Sequence, residues 1–141
     1  MRLSDFVHES NRIEGIHGAS QADVEAHEDF LSSKGGVDDL ITFVSRVAQA
    51  PFRRLPGQNV RVGAHIAPPG GPMIEEMLKE VLKIEDIYDQ HCAFLTLHPF
   101  MDGNGRSARA LWLKRMGGEP PRIGFLHKFY YQTLEHADDR S

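Results

Sequence analysis

His98-Pro-Phe-Met-Asp-Gly-Asn-Gly-Arg-Ser-Ala-Arg109 brings an imidazole, a carboxylate, two glycines and two guanidinium groups into one short run. The residues before it, Asp86–Leu97, space Ile87, His91 and Leu95 by about one turn, which predicts a helix. The residues after it, Ala108–Met116, predict a second. Pro99 cannot extend the first helix and restricts the residue ahead of it. The run is therefore expected to be a loop joining two helices, with Gly103-Asn104-Gly105 where the second begins.

That position has chemical consequences. The first amides of a helix lack internal partners, and with the helix dipole they attract anions. Glycine lets a phosphate reach the backbone and tolerates positive φ. Arg106 and Arg109, three apart, are expected on one face of the first turns, and guanidinium suits phosphate oxygens. A polyphosphate on this helix start would meet the amides of Gly103, Asn104 and Gly105 first and the arginines next. Asp102 is placed to hold a magnesium ion, which commonly takes one or two carboxylates along with substrate phosphates. His98, at the lip of the loop, is placed to take a proton from an incoming hydroxyl. Each feature alone is ordinary: a Gly-Asn-Gly turn, solvated arginines, a histidine before proline. Their joint occurrence in this order points to a phosphate-transfer site.

From His98 to Arg109 the run resembles the signature of the Fic (Fic/Doc) family at every fixed position. The resemblance implies an all-α, Fic-type helical domain with a small β-hairpin flap, spanning residues 1–141 as one domain. It implies a protein adenylyltransferase that moves AMP from ATP to a hydroxyl side chain of a target protein, with Mg2+ as cofactor. A target hydroxyl would attack the α-phosphate in line and His98 would accept its proton. Asp102 would hold the metal, while Gly103, Asn104, Gly105, Arg106 and Arg109 neutralise phosphate charge and pyrophosphate leaves. Members that transfer phosphate depart from the Gly-Asn-Gly pattern kept here, which favours AMP. The alternatives are a de-AMPylating or bifunctional enzyme and a non-catalytic nucleotide-binding regulator. A regulator of that kind is expected to have lost His98 or an arginine, and none is missing.

Near the N-terminus, Leu3–Ile16 predicts a short helix with Ser4 or Asp5 as cap and Gly15 as its stop. Ser10 and Glu14 are four apart and share a face. By composition this is a capped surface helix. Ser10-x-x-x-Glu14-Gly15 also resembles the family's inhibitory motif, whose glutamate reaches the second arginine of the signature. The resemblance thus implies that residues 1–17 form an inhibitory helix, with Ser10 and Glu14 set toward Arg109. It also leaves AMP removal open, with Glu14 orienting a water.

Ser20 is expected to cap Gln21–Leu31, and Gly35-Gly36 to break the chain. Val37–Ala50 is the clearest amphipathic segment, with Val37, Leu40, Ile41, Val44, Val47 and Ala48 on one stripe. After a basic loop at Phe52–Gln58, the alternation in Asn59–Ala67 predicts a strand, with Phe52–Leu55 as hairpin partner. The resemblance makes residues 52–67 the flap that aligns an extended piece of target, and gives His65 a structural or target-facing place. Ala67-Pro-Pro-Gly-Gly-Pro72 predicts a rigid turn into a helix at Met73–Leu82, with Met73, Ile74, Met77, Leu78 and Val81 buried. His91 is expected to be a satisfied, partly buried histidine, because no metal-ligand spacing accompanies it. Gly117-Gly118 stop the signature helix. Phe125–His136 predicts a last, aromatic-rich helix, where the resemblance brings Tyr130 or Tyr131 near adenine.

A chain of 141 residues is long enough for one domain with a real core. A formal charge of −4 argues against a global field for nucleic acid or an anionic membrane. No run has the length and apolarity of a membrane span, and the first residues carry no signal core. Cys92 is the only cysteine, so an internal disulfide is impossible; it is expected to be buried, in a reducing compartment. The expectation is a cytoplasmic protein whose partners are ATP and a protein target, without nucleic acid or membrane; a homo-oligomer stays open.

Overall fold

The structure, a computed structural model, describes residues 2–119. Among these the chain forms six helices: α1 (Leu3–Ile13), α2 (Gln21–Ser32), α3 (Val37–Ala48), α4 (Met73–Leu82), α5 (Ile87–Leu97) and α6 (Asn104–Arg115). Between α3 and α4 lies a hairpin of β1 (Arg61–Val62) and β2 (His65–Ile66), antiparallel, with Arg61 opposite Ile66 and Val62 opposite His65. The fold is mostly helical with one small hairpin. None of the described helices is long and apolar enough to cross a membrane. The predicted helix Phe125–His136, with Tyr130 and Tyr131, lies outside the described residues.

Helix α6 is the element the others pack around. From Asn104 to Leu113 every residue but Gly105 is buried. A helix buried on all sides needs no apolar stripe, so it carries little amphipathic signal. Its periodic part was expected only from Ala108, but the helix starts at Asn104, within the Gly103-Asn104-Gly105 run expected to begin it. Around it, α3 contributes Leu40, Phe43, Val44 and Val47, α2 contributes Ala26 and Phe30, and α4 contributes Ile74, Leu78 and Val81. Phe94 and Leu97 of α5 and Ala108, Ala110 and Leu111 of α6 complete the cluster. Phe43 faces this core although the predicted stripe passed it by, and it stacks edge-on to His27 at 4.7 Å.

Helix α1 docks on the far side of α6. Phe6 is fully buried against Trp112 and Leu113, and Val7 is fully buried as well. Burying a phenylalanine stabilises by roughly 1.5–3 kcal/mol, enough to seat a three-turn helix. The N-cap is Arg2, not Ser4 or Asp5; Asp5 lies at the third helical position and accepts from the Arg2 amide at 3.2 Å. The helix stops at Ile13, and its closure is well defined: the Gly15 amide donates to Arg12 O at 3.0 Å and the Ile16 amide to Asn11 O at 2.9 Å. That is the Schellman pair, which requires positive φ at the glycine, and Gly15 has φ +75°. Glu14 is thereby set as the last, half-helical residue.

Other boundaries shift for similar reasons. Ser20 caps α2 as expected, accepting from Asp23 N at 3.1 Å. Helix α3 ends at Ala48, two residues early, because Gln49 turns left-handed. The predicted strand Asn59–Ala67 is instead a hairpin in itself, folded back at Gly63, which has φ +58°. Phe52 does not pair with it; it bridges Phe100 of the signature loop, with ring centroids 5.4 Å apart. Met73 and Met77 are exposed rather than buried, at 60% and 37%, so the buried face of α4 is Ile74, Leu78 and Val81.

Candidate active site

The site begins where α5 stops. Asp86 caps the start of α5 through Asp89 N at 2.8 Å. At the other end His98 adopts a left-handed conformation, φ 50° and ψ 64°, and its amide closes on Phe94 O at 2.9 Å. A non-glycine residue there costs about 1 kcal/mol or more and persists only when its surroundings hold it. The ring Nδ1 lies 2.7 Å from Leu95 O. A carbonyl only accepts, so Nδ1 carries the proton and Nε2 presents a lone pair. Burial holds the ring's pKa below the ordinary 6.5, with His65 and Arg53 pushing the same way against Leu95 and Glu14. The imidazole is therefore neutral at pH 7, as a base must be.

The loop that follows is fastened from inside. Asn104 clasps Phe100 on both sides, accepting from its N at 3.0 Å and donating to its O at 2.8 Å. Arg53 N donates to Pro99 O at 2.9 Å, and Met101 N to Pro51 O at 3.1 Å. Gly103 turns the chain into α6 with φ +80°, and a Cβ there would come within 2.9 Å of Ala48. Asp102 is exposed and accepts from Gly103 N at 2.7 Å through one carboxylate oxygen. Among the described residues no three His, Cys, Asp or Glu side chains gather as a metal cage. A single exposed carboxylate beside a helix start fits Mg2+ held mainly by phosphates and water, that ion's common mode.

The two arginines part company. Arg106 turns into the fold and donates to Val47 O at 2.8 Å, tying α6 to the end of α3. Arg109 turns toward α1. Its Nε donates to Ser10 Oγ at 2.8 Å, and its Nη2 donates to Ser10 O at 3.1 Å and to Glu14 Oε1 at 2.8 Å. Arg109 is almost wholly buried, while the Glu14 side chain is 36% exposed. The Glu14 carboxylate also lies directly over the first turn of α6: a Cβ on Gly105 would collide with Glu14 Oε1 and come within 3.1 Å of Arg109 Nη1. The anion-attracting start of the helix and the second arginine thus share one carboxylate, supplied by α1.

The Fic/DOC family model matches residues 37–114, more than half of the chain. This chain belongs to the Fic/DOC family. Members commonly transfer AMP or other nucleotide groups to proteins. Helices α1 and α2 precede the matched span of this Fic/DOC chain, so the Glu14 contact reaches into the family domain from outside it. Among curated proteins none matches the chain.

Of the residues singled out in the sequence, the structure brings Ser10, Glu14, Gly105 and Arg109 into one cluster. His98 and Asp102 flank the loop between α5 and α6; Asn104 and Arg106 brace the backbone there. His65 donates from Nε2 to Thr96 O at 2.8 Å, which ties the hairpin to α5. His91 is buried, and its pKa is pushed down to about 4 by burial and by Arg109, against a bond to Ala108. One residue escaped the sequence reading altogether. Arg53 is fully buried under the His98 loop; in the sequence it is one of two adjacent arginines in the basic Phe52–Gln58 loop, and nothing there marks which of them turns inward.

Proposed function

We propose that this chain is a protein adenylyltransferase held inactive by its own N-terminal helix. The observation that carries the reading is the Glu14 carboxylate, bonded to Arg109 and lying over Gly105. That is where the end of a polyphosphate would sit on the helix start. With Arg109 engaged, ATP binds with its α-phosphate turned out of line, and misplacement of that size can cost about 100-fold in rate.

In the released state the target hydroxyl oxygen forms a bond to the α-phosphorus, and the bond to the bridging oxygen of pyrophosphate breaks. The hydroxyl proton passes to His98 Nε2, whose lone pair the Nδ1–Leu95 bond leaves available. The α6 amides and Arg109 receive phosphate charge, a preorganised arrangement that needs no rearrangement during reaction. Mg2+ at Asp102 would neutralise charge on the departing pyrophosphate. The intact Gly103-Asn104-Gly105 start supports AMP rather than phosphate as the group transferred. The partial exposure of Glu14 favours a second reading as well, AMP removal with this carboxylate orienting a water.

The test uses α-labelled ATP, Mg2+ and the full chain. Wild type is expected to label itself barely above background. Glu14→Gly is expected to raise labelling at least about ten-fold, equivalent to ~1.4 kcal/mol of barrier. Adding His98→Ala to that variant returns it to background while nucleotide binding persists, and EDTA does the same. Label carried from γ- instead of α-phosphate would overturn AMP transfer. A rate indifferent to Glu14→Gly would reduce α1 to a surface helix. Loss of label from AMP-modified protein on incubation with wild type would establish the second reading.

A further inference from the structure

We propose that Arg53 is a positioning residue which sets the His98 base and the hairpin in one shared geometry; this rests on the transferase reading above. Arg53 is a large, fully buried cation. Among the described residues no carboxylate pairs with it. A buried charge without a counter-ion is costly unless every donor finds an acceptor. Here four of the five N–H donors meet backbone carbonyls. Nε donates to His98 O at 2.5 Å and Nη2 to Leu97 O at 2.8 Å. Nη1 donates to Gln58 O at 3.1 Å and Pro68 O at 2.7 Å.

These carbonyls fall into two pairs with different owners. Leu97 and His98 carry carbonyls that the end of α5 leaves without helical partners, where a cation is favourable. Gln58 and Pro68 stand on either side of the hairpin, one before β1 and one after β2. One rigid guanidinium plane therefore grips the backbone of the base and both ends of the hairpin. The backbone of Arg53 adds to the clasp, donating to Pro99 O at 2.9 Å and accepting from Gly71 N at 3.0 Å. Its neighbour Arg54 is exposed over the Phe52 ring at 5.3 Å and takes no part. His98 sits in a left-handed conformation that its surroundings must enforce, and the carbonyl of that residue is one of the four gripped. An extended target segment lying along the hairpin would then reach Nε2 at a distance fixed through Arg53.

Lysine carries the charge but, as a point donor, cannot span four carbonyls in one plane. In the full-length Glu14→Gly chain, Arg53→Lys and Arg53→Gln are first checked for cooperative unfolding. In a folded variant kcat is expected to fall at least about ten-fold while KM for ATP stays within about two-fold, the pattern of a displaced base. Arg53→Lys should keep more activity than Arg53→Gln. By NMR, in the wild-type background without nucleotide, the His98 titration midpoint should move up in both variants. That measurement decides the role of Arg53 even if the Glu14→Gly parent transfers nothing, a result that would sink the transferase reading instead. A folded variant with kcat within about two-fold of its parent and an unmoved His98 midpoint would overturn the proposal. If neither variant folds, hydrogen exchange in the wild type decides. Arg53 Nε–H and the amides of His98 and Gly71 should open as one unit. Independent opening of Arg53 would overturn the coupling.

Discussion

A histidine that donates from Nδ1 to a carbonyl leaves Nε2 as its only basic site, and Leu95 does this to His98. The depressed pKa of the ring fixes the direction of a pH test. The proton that blocks the base is lost below 6.5, so transfer by Glu14→Gly should be on its plateau at neutral pH. The rate should fall in proportion to acid only below about pH 6.5, the ordinary histidine value. A pH–rate profile still rising between about pH 7 and 8 would remove His98 as the titrating base. Two side chains three apart on a helix share a face in projection. Yet Arg106 finds Val47 and Arg109 finds Ser10 and Glu14, because α3 and α1 offer acceptors on opposite flanks of α6.

Helix α1 brings Glu14 to Arg109 through the way it ends. Gly15 closes the helix with positive φ, and that closure leaves Glu14 as the residue that leans over α6. A Cβ at Gly15 would touch nothing within 4 Å, so a substitution there acts through the backbone alone. Gly15→Val should therefore lower stability by about 1–2 kcal/mol, the cost of a left-handed β-branched residue. It should also raise wild-type self-labelling part of the way toward Glu14→Gly, because the carboxylate loses its fixed approach. Thermal unfolding and α-label incorporation, measured on the same preparation, check both. Stability lost without any gain in labelling would mean that Glu14 needs no closure to hold Arg109. Asn11 steadies the connection that follows, donating to Gly18 O at 3.0 Å and to Asp23 Oδ2 at 3.2 Å.

Among the described residues three imidazoles are held neutral, His27 and His91 buried and His98 half-buried. His27 and His98 are shifted below 6.5, first of all by burial, and His91 lies at about 4. Each binds a proton more readily unfolded than folded between its two pKa values. Their contribution is thus fully present above about 6.5, the unfolded value, and is lost as pH falls toward the folded pKa. For His91 alone, with a folded value of about 4, the loss is roughly 2 kcal/mol by about pH 5. Denaturant unfolding at about pH 7.5 and pH 5 should show at least that difference, and His91→Gln should reduce it by about 2 kcal/mol. Equal stability at the two pH values would mean that these rings are not held neutral by the fold.

What the sequence determined by itself was local. Ser20 as a cap, Gly15 as a helix stop, the turn before Met73 and the loop from His98 to Gly103 are decided by residues within a few positions. The resemblance added the pairing of Glu14 with Arg109, residues 95 apart, which the structure also forms. Tertiary structure alone decided the rest. The first turn of α6 is buried although its residues are polar and carry no apolar stripe, because other helices close over it. The alternating Asn59–Ala67 segment turns on itself because Phe52, its expected partner, is claimed by Phe100 in the core. Arg53 goes inward and Arg54 outward because four orphaned carbonyls, contributed by residues between 58 and 98, converge on one of two adjacent positions. Convergence of that kind leaves no periodicity in the chain, since it arises only when distant segments have met.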